Sequence, residues 1–189
     1  MDNGASSYRR FLDGDDTGIV EIIRDYKDGL TLYINGLVCN IFIAEELMEE
    51  VFFKLVTKKP RYTNKYSFKT WLYTIGRNMA IDYIRHNSMF SNESVDGYEN
   101  FLIEEETVEE SYLREERRIV VHKALSKLKP EYRQILYLIY FEDFNNSEAA
   151  IIMKKNKHQI ENLIYRARLS LKSQLNKEGF VYEDLSRNC

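Results

Sequence analysis

Glycine and proline are scarce in this chain, and that scarcity limits the folds open to it. Two prolines and eight glycines punctuate 189 residues, and from Glu131 to Glu178 there is neither. A sheet protein needs turn residues between its many short strands, whereas long uninterrupted runs suit helices. The expectation is therefore an all-α fold. Hydrophobic residues make up 44% of the chain, enough to build folded cores. Cys39 and Cys189 form neither a metal-ligand pattern nor a disulfide framework, which fits a reducing compartment. Cys39 sits in an apolar run and reads as a small core residue. The opening "MDNGASSYRRFLDGDD" lacks the apolar core of a signal peptide, and no run is long enough to span a bilayer. A cytoplasmic protein without membrane insertion is expected.

Charge is distributed in blocks. The formal net charge is −3, yet Asp13 to Glu50 carries ten acids and two bases, and Lys54 to Arg85 eight bases and one acid. Ser91 to Arg118 has ten acids and three bases, and Lys154 to Lys172 six bases and one acid. Two separate basic patches in an acidic chain point to two local contacts with a polyanion. The stretch "NKYSFKTWLYTIGRNMAIDYIR" adds five aromatics to four bases. Flat rings beside cations suit single-stranded nucleic acid. The same composition also describes an amphipathic helix with core aromatics and a solvated basic face.

Apolar spacing divides the chain into helical segments. Ile19, Ile22, Ile23 and Tyr26 follow one helical face, with Asp16 or Thr17 placed to cap it. Leu47, Val51 and Leu55 line one face of "AEELMEEVFFKLV", with the glutamates mostly elsewhere. Pro60 breaks the pattern, and a helix resumes with Ser67 as candidate cap. Polar, acidic sequence without periodicity follows. Pro130 then opens "PEYRQILYLIYFE" at a first helical position. Beyond it, a short helix Ser147–Met153, a turn Lys154–Asn156 and a long helix from Lys157 have the form of a helix-turn-helix. In the long helix Ile160, Leu163, Ile164, Ala167 and Leu171 make a buried stripe. The opposite side carries His158, Asn162, Tyr165 and Arg166, with Gln159 beside them, groups suited to base edges and phosphates. A plain helical hairpin with a basic surface would show the same pattern.

Other chemistry fails on particular residues. "DGDDTG" begins like a calcium loop, but its twelfth position is Arg24 rather than a bidentate carboxylate. "EELMEE" has no Glu-x-x-His partner for a di-iron site. His86, His122 and His158 are isolated, and no phosphate-binding glycine loop or nucleophile elbow is present. The reading is of a protein that is not an enzyme and takes no cofactor or metal.

Taken together, several segments resemble the extracytoplasmic-function sigma factors, small alternative promoter-recognition subunits of bacterial RNA polymerase. The likeness runs over about residues 8–176. "FLDGDDTGIVEIIRDY" is similar to the family's opening segment, and "AEELMEEVFFKLV" to its polymerase-binding helix. "FKTWLYTIGRNMAIDYIR" resembles its W-L-x-x-I-A-x-N-x-x-x-D-x-x-R signature. "ALSKLKPEYRQILYLIYFEDFNNSEAAIIMKKNKHQIENLIYRARLSLKSQL" resembles its second domain, ending in R-A-R.

The resemblance implies two small helical domains. Residues 1–88 would be a helical bundle, sigma region 2, that binds core polymerase and the −10 element. Residues 89–110 would be a flexible acidic linker. Residues 111–189 would be sigma region 4, a helix-turn-helix for the −35 element. It further implies that Asn78 recognises a flipped base of the displaced −10 strand. Tyr66, Phe68 and Trp71 would offer faces or wedge the duplex, while Lys65, Lys69, Arg77 and Arg85 meet phosphates. Glu45, Glu46, Glu49, Phe52 and Phe53 would face the polymerase. At the −35 element the implied set is Lys157, His158, Gln159, Glu161, Asn162, Tyr165, Arg166 and Arg168. The implied partners are core RNA polymerase and promoter DNA, duplex at −35 and single-stranded at −10. The family leaves room for an anti-sigma factor, and the free protein is expected to be a monomer. Glu49, Glu161 and Leu163 depart from the family's usual residues, which points to altered polymerase contact and an unusual −35 preference. Two other readings stay open: a helix-turn-helix regulator acting without polymerase, and a protein-binding helical adaptor. Self-association on palindromic sites would mark the first, and indifference to DNA the second.

Overall fold

A computed structural model describes residues 3–90, 121 and 123–177 of the chain. The described residues contain helices and no strand. The first half holds α1 (Asn3–Leu12), α2 (Thr17–Val38), α3 (Ile41–Lys58) and α4 (Phe68–Phe90). The second holds α5 (Pro130–Tyr140), α6 (Asn146–Met153) and α7 (Lys157–Lys177), with a helical stretch at 123–126 before them. The helix α4 runs to Phe90, so the first two residues of the expected linker, 89 and 90, are helical; its residues 91–110 lie outside the described residues.

Local chemistry sets the helix ends. The acceptor at the start of α2 is Asp15 rather than Asp16 or Thr17. Its Oδ1 accepts from the Thr17 backbone N–H at 3.0 Å and from the Thr17 hydroxyl at 2.5 Å. Those two bonds hold the Asp15 carboxyl below its ordinary pKa, and a carboxylate is favoured at a helix N-terminus. At the other end Cys39 adopts the left-handed conformation (φ 56°) and its N–H caps Asn35 O. Cys39 is therefore a half-buried cap rather than a core residue. Asn40 then caps α3, its side chain accepting from Ile43 N–H at 3.2 Å, so α2 and α3 form a tight hairpin. Ser67 caps α4 as expected, accepting from Thr70 N–H at 3.2 Å. Pro130 stands in the first turn of α5.

In the first half, α2 packs on α1, α3 and α4. An aromatic box fastens α1 to α4: the Trp71 ring lies 5.4 Å from Tyr8, 5.3 Å from Tyr62 and 5.4 Å from Phe68. The Tyr8 hydroxyl donates to Pro60 O at 2.8 Å, and burial pushes its pKa up to about 12. In the second half, α5 and α6 both pack against α7. The halves also pack on each other, α2 against α5 and α4 against α6. One hydrophobic cluster consequently runs from Tyr8 to Ala167.

Candidate nucleic-acid interface

The sequence around α6 and α7 builds a short helix, a sharp turn and a long helix with one free face. Asn145 and Glu148 make a reciprocal capping box: Asn145 Oδ1 accepts from Ser147 and Glu148 N–H, and Glu148 Oε2 accepts from Asn145 N–H at 3.1 Å. Lys154, in the left-handed region at φ 54°, ends α6. A second reciprocal pair then starts α7. Asn156 N–H donates to Gln159 Oε1 at 2.9 Å, and Gln159 N–H to Asn156 Oδ1 at 2.8 Å. Ile160, Leu163, Ile164 and Ala167 are buried as the periodicity requires, and Leu171 packs against the same core.

The outer face of α7 is exposed at all eight expected positions: Lys157, His158, Gln159, Glu161, Asn162, Tyr165, Arg166 and Arg168. They are not equally available. Gln159 spends its carbonyl on the cap, leaving its amide N–H groups to donate outward. Asn162 Nδ2 lies 3.1 Å from His158 Nε2, so these two act as a pair. Arg168 bonds the Tyr140 hydroxyl and sits over that ring, which turns it away from the others. Glu161 makes no ion pair with Arg168 or Lys172. Beside this face lies an open groove of about 650 Å³ lined by Lys129, Glu131, Lys155, Gln159, Asn162 and Arg166, with Lys155 paired to Glu131 at 3.2 Å. Cationic and amide groups around a concavity suit phosphates and base edges.

The other candidate set is spread over three environments. Lys65 and Tyr66 are exposed just before α4, with the Lys65 ammonium 5.4 Å from the Tyr66 ring centroid. Arg85 is exposed farther along α4, its guanidinium 3.8 Å from the Asp82 carboxylate. Phe68 is completely buried in the aromatic box, so its ring offers no outward face in this conformation. Trp71 is half-buried in the same box, and Asn78 is half-buried on α4. Lys69 and Arg77 turn toward the second half. Lys69 Nζ donates to Glu142 O at 2.7 Å and lies 2.9 Å from Glu142 Oε2, and Arg77 Nε reaches Gln134 Oε1 at 3.4 Å.

On α3, Glu45, Glu46, Glu49 and Phe53 are exposed, but Phe52 belongs to the core. Phe53 is 68% exposed and Phe42 69%, large apolar surfaces beside a row of carboxylates. Glu46, Glu49, Phe52, Phe53 and Val56 line an open groove of about 850 Å³ with Lys27 of α2. An acidic and aromatic surface of this kind suits a basic protein partner.

Sequence reasoning did not single out Arg133, Glu142 or Glu148, which bind the halves together. Their partners lie 73 to 97 residues away in the chain, beyond any local pattern. For Glu148 a partial signal existed, the Asn-x-x-Glu spacing of its capping box. No group of three or more His, Cys, Asp or Glu able to hold a metal occurs among the described residues. Nor is any described helix long and apolar enough to cross a membrane.

Comparison with known proteins matches both halves. Residues 22–89 match the Sigma-70 region 2 family, and residues 118–171 match Sigma-70 region 4. The chain is 25% identical over 170 residues to the ECF RNA polymerase sigma factor SigW of Bacillus subtilis (strain 168), covering 86% of this chain and 91% of that protein. It is 26% identical over 159 residues to SigM of the same organism, covering 84% and 96%. Among solved structures, the fold matches the sigma factor RpoE in complex with the anti-sigma factor NepR from Bartonella quintana. That match has a TM-score of 0.68 at 21% identity, over 82% of this chain and 95% of that one. It also matches CnrH in complex with the cytosolic domain of CnrY, with a TM-score of 0.64 at 18% identity, over 93% and 96%.

Proposed function

Because the chain belongs to the extracytoplasmic-function sigma factors of bacterial RNA polymerase, we propose a division of labour among its surfaces. The α3 surface around Glu45, Glu46, Glu49 and Phe53 docks on core polymerase. The α4 region, with Asn78 at its centre, captures the displaced −10 strand. The outer face of α7 reads the −35 duplex. The protein works in the cytoplasm, where its polymerase is, and acts as an initiation factor rather than as an enzyme.

The observation that carries this reading is the two-faced character of α7. Its apolar stripe is buried, while His158, Asn162, Tyr165 and Arg166 are exposed on the outer side, beside a groove edged by Lys129 and the Lys155–Glu131 ion pair. Lys65 and Tyr66 just before α4, and Arg85 along it, supply exposed cationic and aromatic groups on the same segment as Asn78. Extracting a base costs a few kcal/mol, which stacking and phosphate contacts must offset. Phe52 and Phe68 serve this function as core residues that shape the surfaces.

The test is Asn78→Ala in reconstituted holoenzyme. Loss of one set of base-specific hydrogen bonds costs about 1–3 kcal/mol. Open-complex formation should fall accordingly while core binding stays at the wild-type level. Equal loss of both would assign Asn78 to folding.

A further inference from the structure

Two of the outer-face side chains of α7, Gln159 and Asn162, are amides. An amide that turns freely reads bases poorly, because turning it over exchanges its donor and its acceptor. Here both amides are held by neighbours on the same helix or at its start. Gln159 is fixed through its carbonyl oxygen, which accepts from Asn156 N–H at 2.9 Å and leaves only N–H groups to offer. Asn162 is fixed through the opposite end of its amide. Its Nδ2 lies 3.1 Å from Nε2 of His158, which stands one helical turn earlier. An amide nitrogen only donates, so the ring nitrogen is the acceptor in this contact.

The contact uses one of the two Nδ2 hydrogens. The other hydrogen and the carbonyl oxygen remain, and among the described residues neither has a partner. Asn162 is exposed in the second turn of α7 and lines the groove between Gln159 and Arg166. The N-terminal turns of a recognition helix are the part that meets base edges in the major groove. One donor beside one acceptor matches adenine, whose N7 accepts and whose N6 amine donates. Guanine presents two acceptors there, so the same amide would set its own oxygen against O6. Cytosine and thymine each offer only one of the two groups.

Resting on the −35-reading role given to α7 above, we propose that Asn162 selects adenine at one position of the element and that His158 is its positioning residue. His158 does not itself touch the base. It holds the amide in the orientation that fits adenine before DNA arrives, so little ordering remains to be done on binding. An unheld amide could turn its nitrogen toward O6 or N7 and accept guanine. Asn162 can do so only by giving up its bond to His158.

Holoenzyme reconstituted with the full-length chain is the sample, and promoter duplexes randomised across the −35 element are the probe. Asn162→Ala marks the position concerned as the one whose preference it erases. There the wild type should favour adenine over guanine about tenfold, or ~1.4 kcal/mol. His158→Ala should lower that ratio below about threefold, the effect of losing one hydrogen bond, and should leave the ranking of bases at other positions as it was. His158→Gln returns an acceptor of similar reach and should restore the ratio. Adenine replaced by 7-deazaadenine at that position should lose its advantage in the wild type, since N7 is the acceptor removed. Position 158 is exposed, and both replacements favour a helix.

An unchanged ratio in His158→Ala would overturn the positioning role. So would an equal loss in His158→Ala and His158→Gln, which is what a purely structural or ring-specific role predicts. A change confined to a different position would mean that His158 reads a base of its own, and a uniform change across all positions would make it a general contact; either result overturns the proposal. Holoenzyme indifferent to the whole −35 element would remove the reading role of α7 and this proposal with it. Holoenzyme that depends on the element but shows no adenine preference at the Asn162 position would overturn this proposal alone.

Discussion

Arg133→Met isolates the tie between the two halves. Arg133 projects from α5 and is only 7% exposed. Its Nε donates to Gly36 O at 2.5 Å, Nη1 to Ser126 O at 3.0 Å, and Nη2 to Cys39 Sγ at 2.9 Å. Gly36 lies in the last turn of α2, where carbonyls lack intrahelical partners, and that turn has no basic residue of its own. Arg133 therefore caps α2 from 97 residues away and brings a cation to the negative end of its dipole. Methionine keeps much of the apolar stem but loses every donor. A hydrogen bond to a charged group is worth about 1.5–3 kcal/mol, and a buried acceptor left alone costs about 1–3 kcal/mol. The bonds share one side chain and do not add, so a net loss of ~3 kcal/mol is a fair central value. With a urea dependence near ~2 kcal/mol per molar, the midpoint should fall by about 1.5 M. Far-ultraviolet circular dichroism would follow unfolding, and a single wild-type transition should split in two as the halves lose their coupling. A midpoint shift below about 0.3 M with one transition retained would refute the capping argument.

Three further outcomes follow from other sites. Asn145→Ala removes the acceptor of the α6 capping box, so stability should fall by about 1 kcal/mol and the melting temperature by about 2–4 °C, as read by a thermal scan. Glu161→Lys should raise general DNA affinity, steepen its salt dependence and shift −35 preference at one base pair; identical preferences in a randomised −35 selection would remove Glu161 from base reading. Burial raises the pKa of Tyr33, Tyr73 and Tyr137 above the ordinary tyrosine value, with Glu142 raising the last two further. Since their folded pKa values exceed the unfolded ones, their contribution is complete below about pH 10 and is lost as pH rises beyond it. The loss should approach ~1.4 kcal/mol per pH unit for each tyrosine, and urea unfolding between about pH 9 and 11 would detect it; a flat profile would contradict the burial argument.

The second half was the more legible part. The spacing of Ile160, Leu163, Ile164 and Ala167 identified the buried side of α7, and hence its exposed polar side. Pro130 and Ser67 marked helix starts because their chemistry is local. Asp15 was missed because three acids stand close together and only backbone geometry selects the acceptor. Phe52 and Phe68 are buried because each packs on its neighbours' aliphatic and aromatic side chains, and residue type alone does not tell a core ring from a docking ring. Cys39 looked apolar by context, yet the α2–α3 hairpin needs a left-handed residue there and Arg133 reaches its sulfur. The Glu142 and Arg133 contacts were invisible because they join distant segments. Their chemistry depends on how the halves meet.

The central claim is that this chain makes core RNA polymerase promoter-specific. The most direct measurement is reconstitution of the full-length chain with core polymerase on a library randomised at the −35 and −10 positions, scored by transcript start sites. The account predicts starts that require the chain, cluster on one pair of spaced elements, and vanish with core alone. The isolated chain should bind the same duplex promoters weakly, because its acidic blocks oppose a polyanion. No chain-dependent start sites, together with tight specific duplex binding by the isolated protein, would contradict the claim and favour a regulator that works without polymerase.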